Sequence, residues 1–354
     1  MTSNSPGAGG RVTIREVARL ARVSLGTVSN VLNNPAAVAP ATRARVLEVI
    51  QATGFIRSTA AHQLRVGRSR TVGVVLLDIA NPFFAEMVRG VERVLSEKGY
   101  VLMVCSSDDS PERERRYLRE LEEHRVDGVL ITPVGPDLGS LAALAGRGVP
   151  TVLLDRDAGK LDLCSVTVDD VRGGELAANH LLGLGHDVVG FVNGPLTIRQ
   201  CADRRAGARR AFRRARARGR AGRAGAKGAV LWELPVDALT ADRGEEAVSS
   251  LLAWSPRPTA VMCANDLLAL GVLKGVTAAG LAVPADMAVV GYDDVAFASM
   301  LSPALTSVRQ PKYDLGASAA ELLLEETGTS GHEHRSVRFE PELVVRASSG
   351  PRRR

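Results

Sequence analysis

The sequence predicts a small all-α head followed by an α/β body that is built from two doubly wound parallel-sheet subdomains. Residues 11–57 read as short helices, and from Thr71 onward short β-branched strands alternate with amphipathic helices. This alternation is typical of parallel sheets that are covered by helices on both faces. The strands fall into two consecutive sets, and 354 residues are enough for two or three domains. We therefore expect two α/β subdomains after the head.

The head is predicted to contain three helices, over residues 14–21, 24–32 and 40–53. The apolar residues of the first two helices, Leu20 included, can be buried together only if the chain turns sharply before Ser24. Ser24 is a favourable N-cap for the second helix. The pattern predicts a helix-turn-helix, whose second helix fits the major groove of DNA. The alternative is a helical cap whose polar face, with Thr27, Ser29 and Asn30, is merely solvated.

The charge of the chain is unevenly distributed. Residues 1–70 hold ten arginines against two glutamates, which gives +8, although the whole chain carries only +6. A basic head on a more acidic body indicates that a polyanion binds at the head. Residues 204–227 hold ten arginines and one lysine without an acidic residue. Because this Gly/Ala/Arg run offers little for bases to stack on, we expect a solvated helix face followed by a mobile loop.

Eight strands are predicted in the body, over residues 71–77, 100–105, 126–132, 149–154, 187–193, 229–232, 259–265 and 287–293. Ligands of such folds bind beyond the carboxyl ends of the strands, so we expect a cleft between the subdomains. Asp155, Asn265 and Asp293 end predicted strands and would converge on this cleft, although each could instead cap the following helix. Phe83 and Phe84 either form an apolar wall for a ligand or pack the subdomain interface.

Several other classes of protein are disfavoured. No apolar run approaches the roughly 18 residues of a membrane span. The N-terminus lacks an apolar signal core, so we expect a cytoplasmic protein without a membrane partner. His332 and His334 are expected in an exposed turn, and we predict neither a metal site nor a cofactor. The cysteines are far apart and are expected to be buried free thiols: Cys105, Cys164, Cys201 and Cys263.

Several segments carry a resemblance to a known family. The head contains VTIREVARLARVSLGTVSNVLNN, TRARVLEVIQATGFI and AAHQLR, and the body contains, in order, NPFFAEMVRGVE, VTVDDVRGG, GPL, CANDLLALG, VGYDDV and LTSVRQP. Over nearly its whole length the chain resembles the LacI/GalR-type family of lactose, galactose and purine repressors. The resemblance implies a transcriptional repressor with a periplasmic-binding-protein-like core. It would bind a palindromic operator in double-stranded DNA as a homodimer, or as a tetramer, under allosteric control by a small effector.

We accordingly predict five segments: a disordered N-terminus over 1–10, a DNA-binding domain over 11–57, a hinge over 58–70, an effector-binding and dimerisation core over 71–350, and a basic tail over 351–354. In the second helix, the resemblance assigns base reading to Leu25, Gly26 and Asn30, and phosphate contacts to Thr27 and Ser29. Ser24 completes this predicted DNA-binding surface.

The hinge carries a further prediction. Leu64 matches the leucine that members of the family insert into the minor groove, where an apolar wedge kinks the duplex. The alternative is a flexible tether.

Two residues depart from the family pattern. Arg57 replaces a proline that commonly opens the hinge, and Arg22 replaces a glycine at the helix-to-helix turn. A positive φ at Arg22 would add about 1 kcal/mol of strain.

The resemblance and the strand ends together give the predicted effector-binding residues: Phe83, Phe84, Thr132, Asp155, Arg204, Asn265, Asp293 and Gln310. Arg204 matches the family arginine that contacts the effector, and Gln310 lies at a crossover between the subdomains. Charged and amide groups bind hydroxyls well, which favours a sugar or related polyol. Leu239 stands where members often carry an aromatic residue, and this weighs against a planar purine unless Trp232 substitutes for it.

Two other functions are compatible with parts of the sequence. A solute-binding protein that feeds a transporter would suit the body, but a basic head and the missing signal peptide disfavour it. An enzyme would suit the α/β core, but the sequence contains no phosphate loop, nucleophile elbow or HExxH pattern. We therefore predict a regulator without catalytic residues.

Overall fold

The computed structural model describes residues 12–55, 69–222, 228–328 and 331–352, with side chains up to residue 217 in the second of these ranges. The described residues form two compact units, which are divided after Ser69. Leu64, Arg57, the predicted disordered N-terminus and most of the predicted hinge lie outside the described residues.

The head contains three helices: α1 Ile14–Ala21, α2 Leu25–Asn33 and α3 Pro40–Thr53. Each helix contributes one fully buried valine to a shared core, namely Val17, Val28 and Val46. Leu20 was expected in this core, but its side chain is 44% exposed. The expectation is wrong because α1 buries Val17, Ala18 and Ala21, and the helical period of 3.6 residues turns Leu20 away from that face.

The first sheet of the body has the strand order β11-β5-β4-β3-β1-β2. Its strands are all parallel: β1 Thr71–Leu76, β2 Val101–Ser106, β3 Gly128–Ile131, β4 Thr151–Leu154, β5 Cys164–Val168 and β11 Ser336–Phe339. Helices α4 (Pro82–Glu97) and α11 (Lys312–Gly328) cover one face, and α5 (Pro111–Glu123) and α6 (Gly139–Gly146) cover the other. Alternate residues of β1 point to opposite faces, so both are apolar.

The second sheet has the strand order β12-β10-β9-β8-β6-β7. Its strands are β6 Val188–Asn193, β7 Val230–Pro235, β8 Ala260–Cys263, β9 Ala288–Asp293, β10 Thr306–Arg309 and β12 Glu342–Val344. Only β12 among these runs antiparallel to its neighbour. The helices that pack on this sheet are α7 Asp170–Gly183, α8 Arg199–Gly222, α9 Ala241–Ala253 and α10 Asp266–Ala278.

The predicted fold class is confirmed, but the two sets of strands are not simply consecutive. Within the described residues the chain passes between the sheets after β5, after β10 and again after β11. Strands β5, β10, β11 and β12 were not predicted from the sequence. These strands have only three to five residues, and several alternate with polar side chains, so their apolar signal is weak.

Candidate functional site

The exposed side of α2 carries the residues that were predicted to contact DNA. Ser24, Leu25, Gly26 and Asn30 are exposed, and Thr27 and Ser29 are half-buried. Ser24 is the N-cap of α2, because its Oγ accepts a hydrogen bond from the Thr27 backbone N–H at 3.0 Å. The hydroxyls of Ser24 and Thr27 lie 2.9 Å apart. The first turn of the helix therefore presents an exposed surface on which the Ser24 hydroxyl lies beside the apolar side chain of Leu25.

The turn before α2 has a positive φ at Arg22, the position where the family pattern has glycine. Arg22 follows α1 with φ 55° and ψ 49°, which is the left-handed region. The Arg22 N–H donates to Ala18 O and Arg19 O at the end of α1, and the Val23 N–H donates to Ala18 O at 3.0 Å. This closes the end of α1 and directs the chain into α2.

The body contains a cavity of about 270 Å³ between its two subdomains. Its apolar lining comes from Leu77, Phe83, Phe84, Ile198, Cys201, Ala238 and Leu239. Its polar lining comes from Asp78, Asn81, Asp108, Asp109, Asp155, Gln200, Arg204, Thr240, Asn265 and Asp293. Residues from both sheets contribute, so this is a cleft at the carboxyl ends of the strands, where folds of this type bind ligands.

Five aspartates line the cavity, and four of them have a left-handed backbone. Asp108, Asp109, Asp155 and Asp293 have φ values of 49°, 55°, 51° and 105°. Aspartate tolerates such values better than most residues, and strained backbone of this kind is concentrated at ligand sites. The fifth aspartate of the lining is Asp78. The chain thus accepts backbone strain at the other four aspartates, each of which follows or ends a strand.

Asp155 lines the cavity with a carboxyl group whose two oxygens differ in their hydrogen bonding. Gln200 Nε2 donates to Asp155 Oδ2 at 2.8 Å, whereas Oδ1 is buried without a hydrogen-bond partner among the described residues. Burial raises the pKa of Asp155 well above its ordinary value, and the nearby charge of Asp170 raises it further. A buried oxygen without a partner is costly, so a ligand that forms a hydrogen bond with it would be favoured.

Among the described residues that line the cavity, Arg204 is the only one with a cationic side chain. It is buried, with Nε donating to Asp170 Oδ1 at 2.7 Å and Nη1 donating to Ala264 O at 2.6 Å. The guanidinium also lies 3.8 Å from the centre of the Tyr292 ring. Burial by itself would lower the pKa of Arg204, but Asp170, Tyr292 and Asp293 raise it well above its ordinary value. The guanidinium is therefore a fixed positive charge.

Two glycines allow Arg204 to reach Asp170. A Cβ on Gly174 of α7 would lie 2.1 Å from the Arg204 carbonyl oxygen, and a Cβ on Gly207 of α8 would lie 2.0 Å from the Val171 carbonyl oxygen. Any larger residue would force the two helices apart. This close crossing places the side chains of Arg204 and Asp170 in contact at the base of the cavity.

Asn265 and Asp293 lie where the sequence placed them. Asn265 caps α10, accepting from Leu268 N–H at 2.9 Å, and its amide donates to Leu239 O at 3.1 Å. Gln310 Nε2 donates to Asp293 Oδ1 at 2.7 Å. Burial raises the pKa of Asp293 to about 6, although Arg204 and Gln310 oppose the shift. The capping role and a cavity role coexist at Asn265.

Six predicted effector-binding residues line the cavity: Phe83, Phe84, Asp155, Arg204, Asn265 and Asp293. Gln310 does not line it but holds Asp293. Thr132 follows β3 and does not line it either, although its hydroxyl is buried without a partner among the described residues. Trp232 stacks on Trp254 at 5.5 Å instead of reaching the cavity. Trp232 therefore does not replace the aromatic residue that family members often carry at the position of Leu239.

The sequence analysis missed several lining residues: Asp78, Asn81, Asp108, Asp109, Gln200 and Thr240. A signal for some of them was present. Asp78 follows β1 by two residues, and Asp108 follows β2 by two residues. Applying the strand-end rule to β1 and β2, as well as to later strands, would have found both.

The arginine-rich segment begins as a helix face, but that face is paired rather than merely solvated. Glu233 of β7 accepts from Arg205 and Arg209. Buried Glu175 of α7 lies 3.2 Å from Arg210 Nε and 3.5 Å from Arg214 Nη1. Two glutamates therefore neutralise part of α8, and the pairing depends on residues that are distant in sequence. The predicted mobile loop includes residues 223–227, which lie outside the described residues.

Comparisons with known proteins agree with this architecture. The sequence pattern of bacterial regulatory proteins of the lacI family matches residues 13–58, and that of the periplasmic binding protein-like domain matches residues 178–349. The HTH-type transcriptional repressor PurR of Aliivibrio salmonicida is 34% identical over 337 residues, which cover 95% of this chain and 98% of that protein.

Solved structures agree as well. The complex of the transcriptional regulator CelR with cellobiose is 32% identical with a TM-score of 0.68, and the match covers 96% of this chain and all of that one. The lac repressor dimer bound to operator and the anti-inducer ONPF is 26% identical with a TM-score of 0.80, again over 96% of this chain and all of that one.

Head and cavity together define a DNA-binding regulator with an effector-binding domain of the periplasmic-binding-protein type. The chain belongs to the LacI family of bacterial transcriptional repressors. Proteins of this family are regulators rather than enzymes. None of the helices among the described residues is long and apolar enough to span a membrane.

Proposed function

We propose that this repressor binds a palindromic operator as a homodimer and that a sugar or related polyol, bound in the cavity of the body, controls its affinity for DNA. The observation that carries the choice of ligand is the set of five aspartates in the cavity lining. The assignment of a dimer, and of a cytoplasmic repressor, is supported by the family and by the operator complex of the lac repressor dimer.

Aspartates favour a ligand with many hydrogen-bond donors. An ionised carboxylate accepts hydrogen bonds and donates none, whereas a carboxyl group whose pKa is raised, as at Asp155 and Asp293, can also donate through its proton. A sugar has several hydroxyls, each of which can donate to a carboxylate and accept from Arg204 or Asn265. Phe83 and Phe84, which pack edge to face at 5.1 Å, give the cavity an apolar surface for the carbon face of the sugar.

A purine base is the second candidate. The relatives named PurR favour it, whereas the cellobiose complex of CelR favours a sugar. A purine has few N–H donors for five carboxylates, and Leu239 gives it no aromatic surface at the position where the family often has one. The chemistry of the lining therefore supports the sugar more strongly.

Calorimetric titration of the full-length protein with ribose, cellobiose, adenine and guanine separates the two candidates. We expect heat of binding from a sugar and none from the bases. Asp155→Asn should weaken sugar binding by about tenfold, the equivalent of a lost hydrogen bond. Asp162→Asn, an exposed carboxylate outside this lining, is the matched control. Binding of a base alone would overturn the proposal.

At the head, we propose that Ser24, Leu25, Gly26, Thr27, Ser29 and Asn30 contact the operator. The exposed face of α2 and the excess of arginine in the head support this assignment. Selection of bound fragments from random duplexes, with and without the sugars, would give the operator. A palindromic consensus supports the dimer, and its absence in a protein that sediments as a monomer would contradict it.

A further inference from the structure

Four side chains with metal-binding chemistry meet at one edge of the first sheet. Cys164 begins β5, Glu326 lies near the end of α11, and His332 and His334 precede β11. Their ligand atoms all lie within 4.8 Å of one another. The sequence analysis placed the two histidines in an exposed turn, and this is wrong, because both are half-buried. Cys164 is 168 residues from His332, so no local spacing motif could reveal the cluster.

The cluster leaves two buried polar atoms without a partner among the described residues, Glu326 Oε2 and His334 Nδ1. Cys164 Sγ lies 3.2 Å from His332 Nε2, and it also accepts from the Arg335 N–H at 3.4 Å. Buried oxygen and nitrogen atoms without a hydrogen-bond partner are costly. A cation bound between these side chains would satisfy both.

The donor set fits zinc. One thiolate, two imidazoles and one carboxylate are ligands that zinc takes in four-coordinate sites. At the usual bond lengths, ligand atoms around tetrahedral zinc lie about 3.3–3.6 Å apart. The Cys164–His332 separation is close to this spacing, and the other separations, at most 4.8 Å, would need to shorten by up to about 1.5 Å to reach it.

We propose that Cys164, Glu326, His332 and His334 form a structural zinc site. Four protein ligands leave no position for water or substrate, which is the arrangement of structural rather than catalytic zinc. The site lies at the amino end of β5, whereas the ligand cavity lies at the carboxyl ends of the strands. It is therefore separate from the site of the proposed sugar.

Zinc here would secure a weak edge of the sheet. β11 is an edge strand that pairs only with β5 in the first sheet. The metal would join the start of β5 to the end of α11 and to the segment before β11. Burial raises the pKa of the Cys164 thiol, so zinc binding would release the thiol proton to solvent.

Titration of the chelator-treated full-length protein with Zn²⁺ tests the proposal. We expect one Zn²⁺ per chain, and a rise in Tm on binding. Cys164→Ala, His332→Ala and His334→Ala should each weaken zinc binding by about 100-fold or more. Two controls, His124→Ala at the C-cap of α5 and the exposed Glu321→Gln on α11, should leave it unchanged.

Co²⁺ is a second probe, because a thiolate ligand gives a charge-transfer absorption band that Cys164→Ala should abolish. Weak zinc binding that is equal in wild type and all variants would mean an adventitious ion only, and would overturn the proposal, as would no binding. If Cys164→Ala does not fold, the half-buried histidine variants decide. Sugar and operator binding by the zinc-site variants is measured in parallel, so that failure of this site is distinguished from failure of the proposed function.

Discussion

Arg22 occupies a turn position whose backbone conformation favours glycine. Its backbone is left-handed, with φ 55°, a region in which a side chain costs about 1–2 kcal/mol. The helix-turn-helix nevertheless forms, because Val17, Val28 and Val46 bury a shared core around the turn. An arginine at this position adds positive charge to a head that already has an excess of it.

Arg22→Gly should therefore stabilise the head by about 1 kcal/mol, because glycine removes the strain and returns part of the gain as unfolded-chain entropy. Amide hydrogen exchange over residues 12–55 of the full-length protein measures this change. Arg22→Ala is the matched control, since it removes the same charge but retains a Cβ at positive φ. Equal protection in the two variants would show that the backbone is not the cause.

Asp266 is a buried carboxyl group in the second subdomain. Oδ1 accepts from Ser307 Oγ at 2.6 Å and Oδ2 accepts from Val295 N–H at 2.9 Å. Burial raises its pKa from 3.8 to about 8, and the charge of Asp293 adds to the shift. The folded protein therefore holds this proton at neutral pH, whereas the unfolded chain has lost it.

Because the folded state binds the additional proton, the free energy of unfolding should fall as pH rises from about 4 to about 8. Asp266→Asn resembles the protonated acid and should make this dependence shallower. Urea unfolding between pH 5 and pH 8 measures it through the fluorescence of Trp232 and Trp254, which both lie in the second subdomain. The exposed Asp242→Asn is the control. An unchanged slope in Asp266→Asn would contradict the assignment.

At the scale of the element, the start of α2 combines a structural and a proposed functional role. The Ser24 hydroxyl caps the helix by accepting from Thr27 N–H, and the same residue lies on the proposed DNA-contacting surface. A single loss-of-function variant would confuse these roles, but two variants separate them.

Ser24→Ala should destabilise α2 by about 1 kcal/mol, because the cap is lost. Ser24→Asp should preserve the cap but lower operator affinity by about tenfold, because a negative charge would face phosphate. Hydrogen exchange of the head and DNA titration are the two measurements. If Ser24→Asp binds operator as tightly as wild type, this position does not approach the DNA backbone.

The crossing of α7 and α8 is a second element that determines the site. Gly207→Ala would place a Cβ about 2.0 Å from the Val171 carbonyl oxygen, so the helices must separate and Arg204 must withdraw from Asp170. We expect a loss of about 1–3 kcal/mol in stability, together with weaker sugar binding. Gly183→Ala at the end of α7, where a Cβ meets nothing within 4 Å, is the control for both measurements and should leave them close to wild type.

At the scale of the whole molecule, positive charge is concentrated in the head and acidic side chains line the cavity of the body. The first 70 residues carry +8, whereas the arginines of α8 are partly paired with Glu175 and Glu233. Five aspartates line the cavity of the body. We infer that phosphate is attracted to the head and a neutral, hydroxyl-rich ligand to the body.

Operator affinity should accordingly fall steeply and linearly with the logarithm of salt concentration. Leu64→Ala, in the predicted hinge, should reduce specific binding by about tenfold or more while changing non-specific binding little, because only the specific complex would contain the wedge. Titrations on operator and on scrambled duplex measure both effects. Equal losses on the two duplexes would refute the wedge.

The predictability of the site from sequence differed among its residues. Asp155, Asn265 and Asp293 were found because each lies where a parallel strand ends, and those ends meet at one edge of a sheet. Thr132 satisfies the same rule and does not line the cavity. Position at a strand end gives the edge of the sheet but not the direction of the side chain, which depends on the turn and on neighbouring helices.

The sequence by itself determined the two-part architecture, the helix-turn-helix and the LacI family. Helical and strand periods, helix caps and family motifs all depend on residues that are close along the chain. Only the tertiary structure decided that Arg204 pairs with Asp170, and that Cys164 meets Glu326, His332 and His334. Those contacts join distant parts of the chain, and they depend on which strands are neighbours and how closely α7 and α8 cross. Such geometry is set by packing of the whole body rather than by any local pattern.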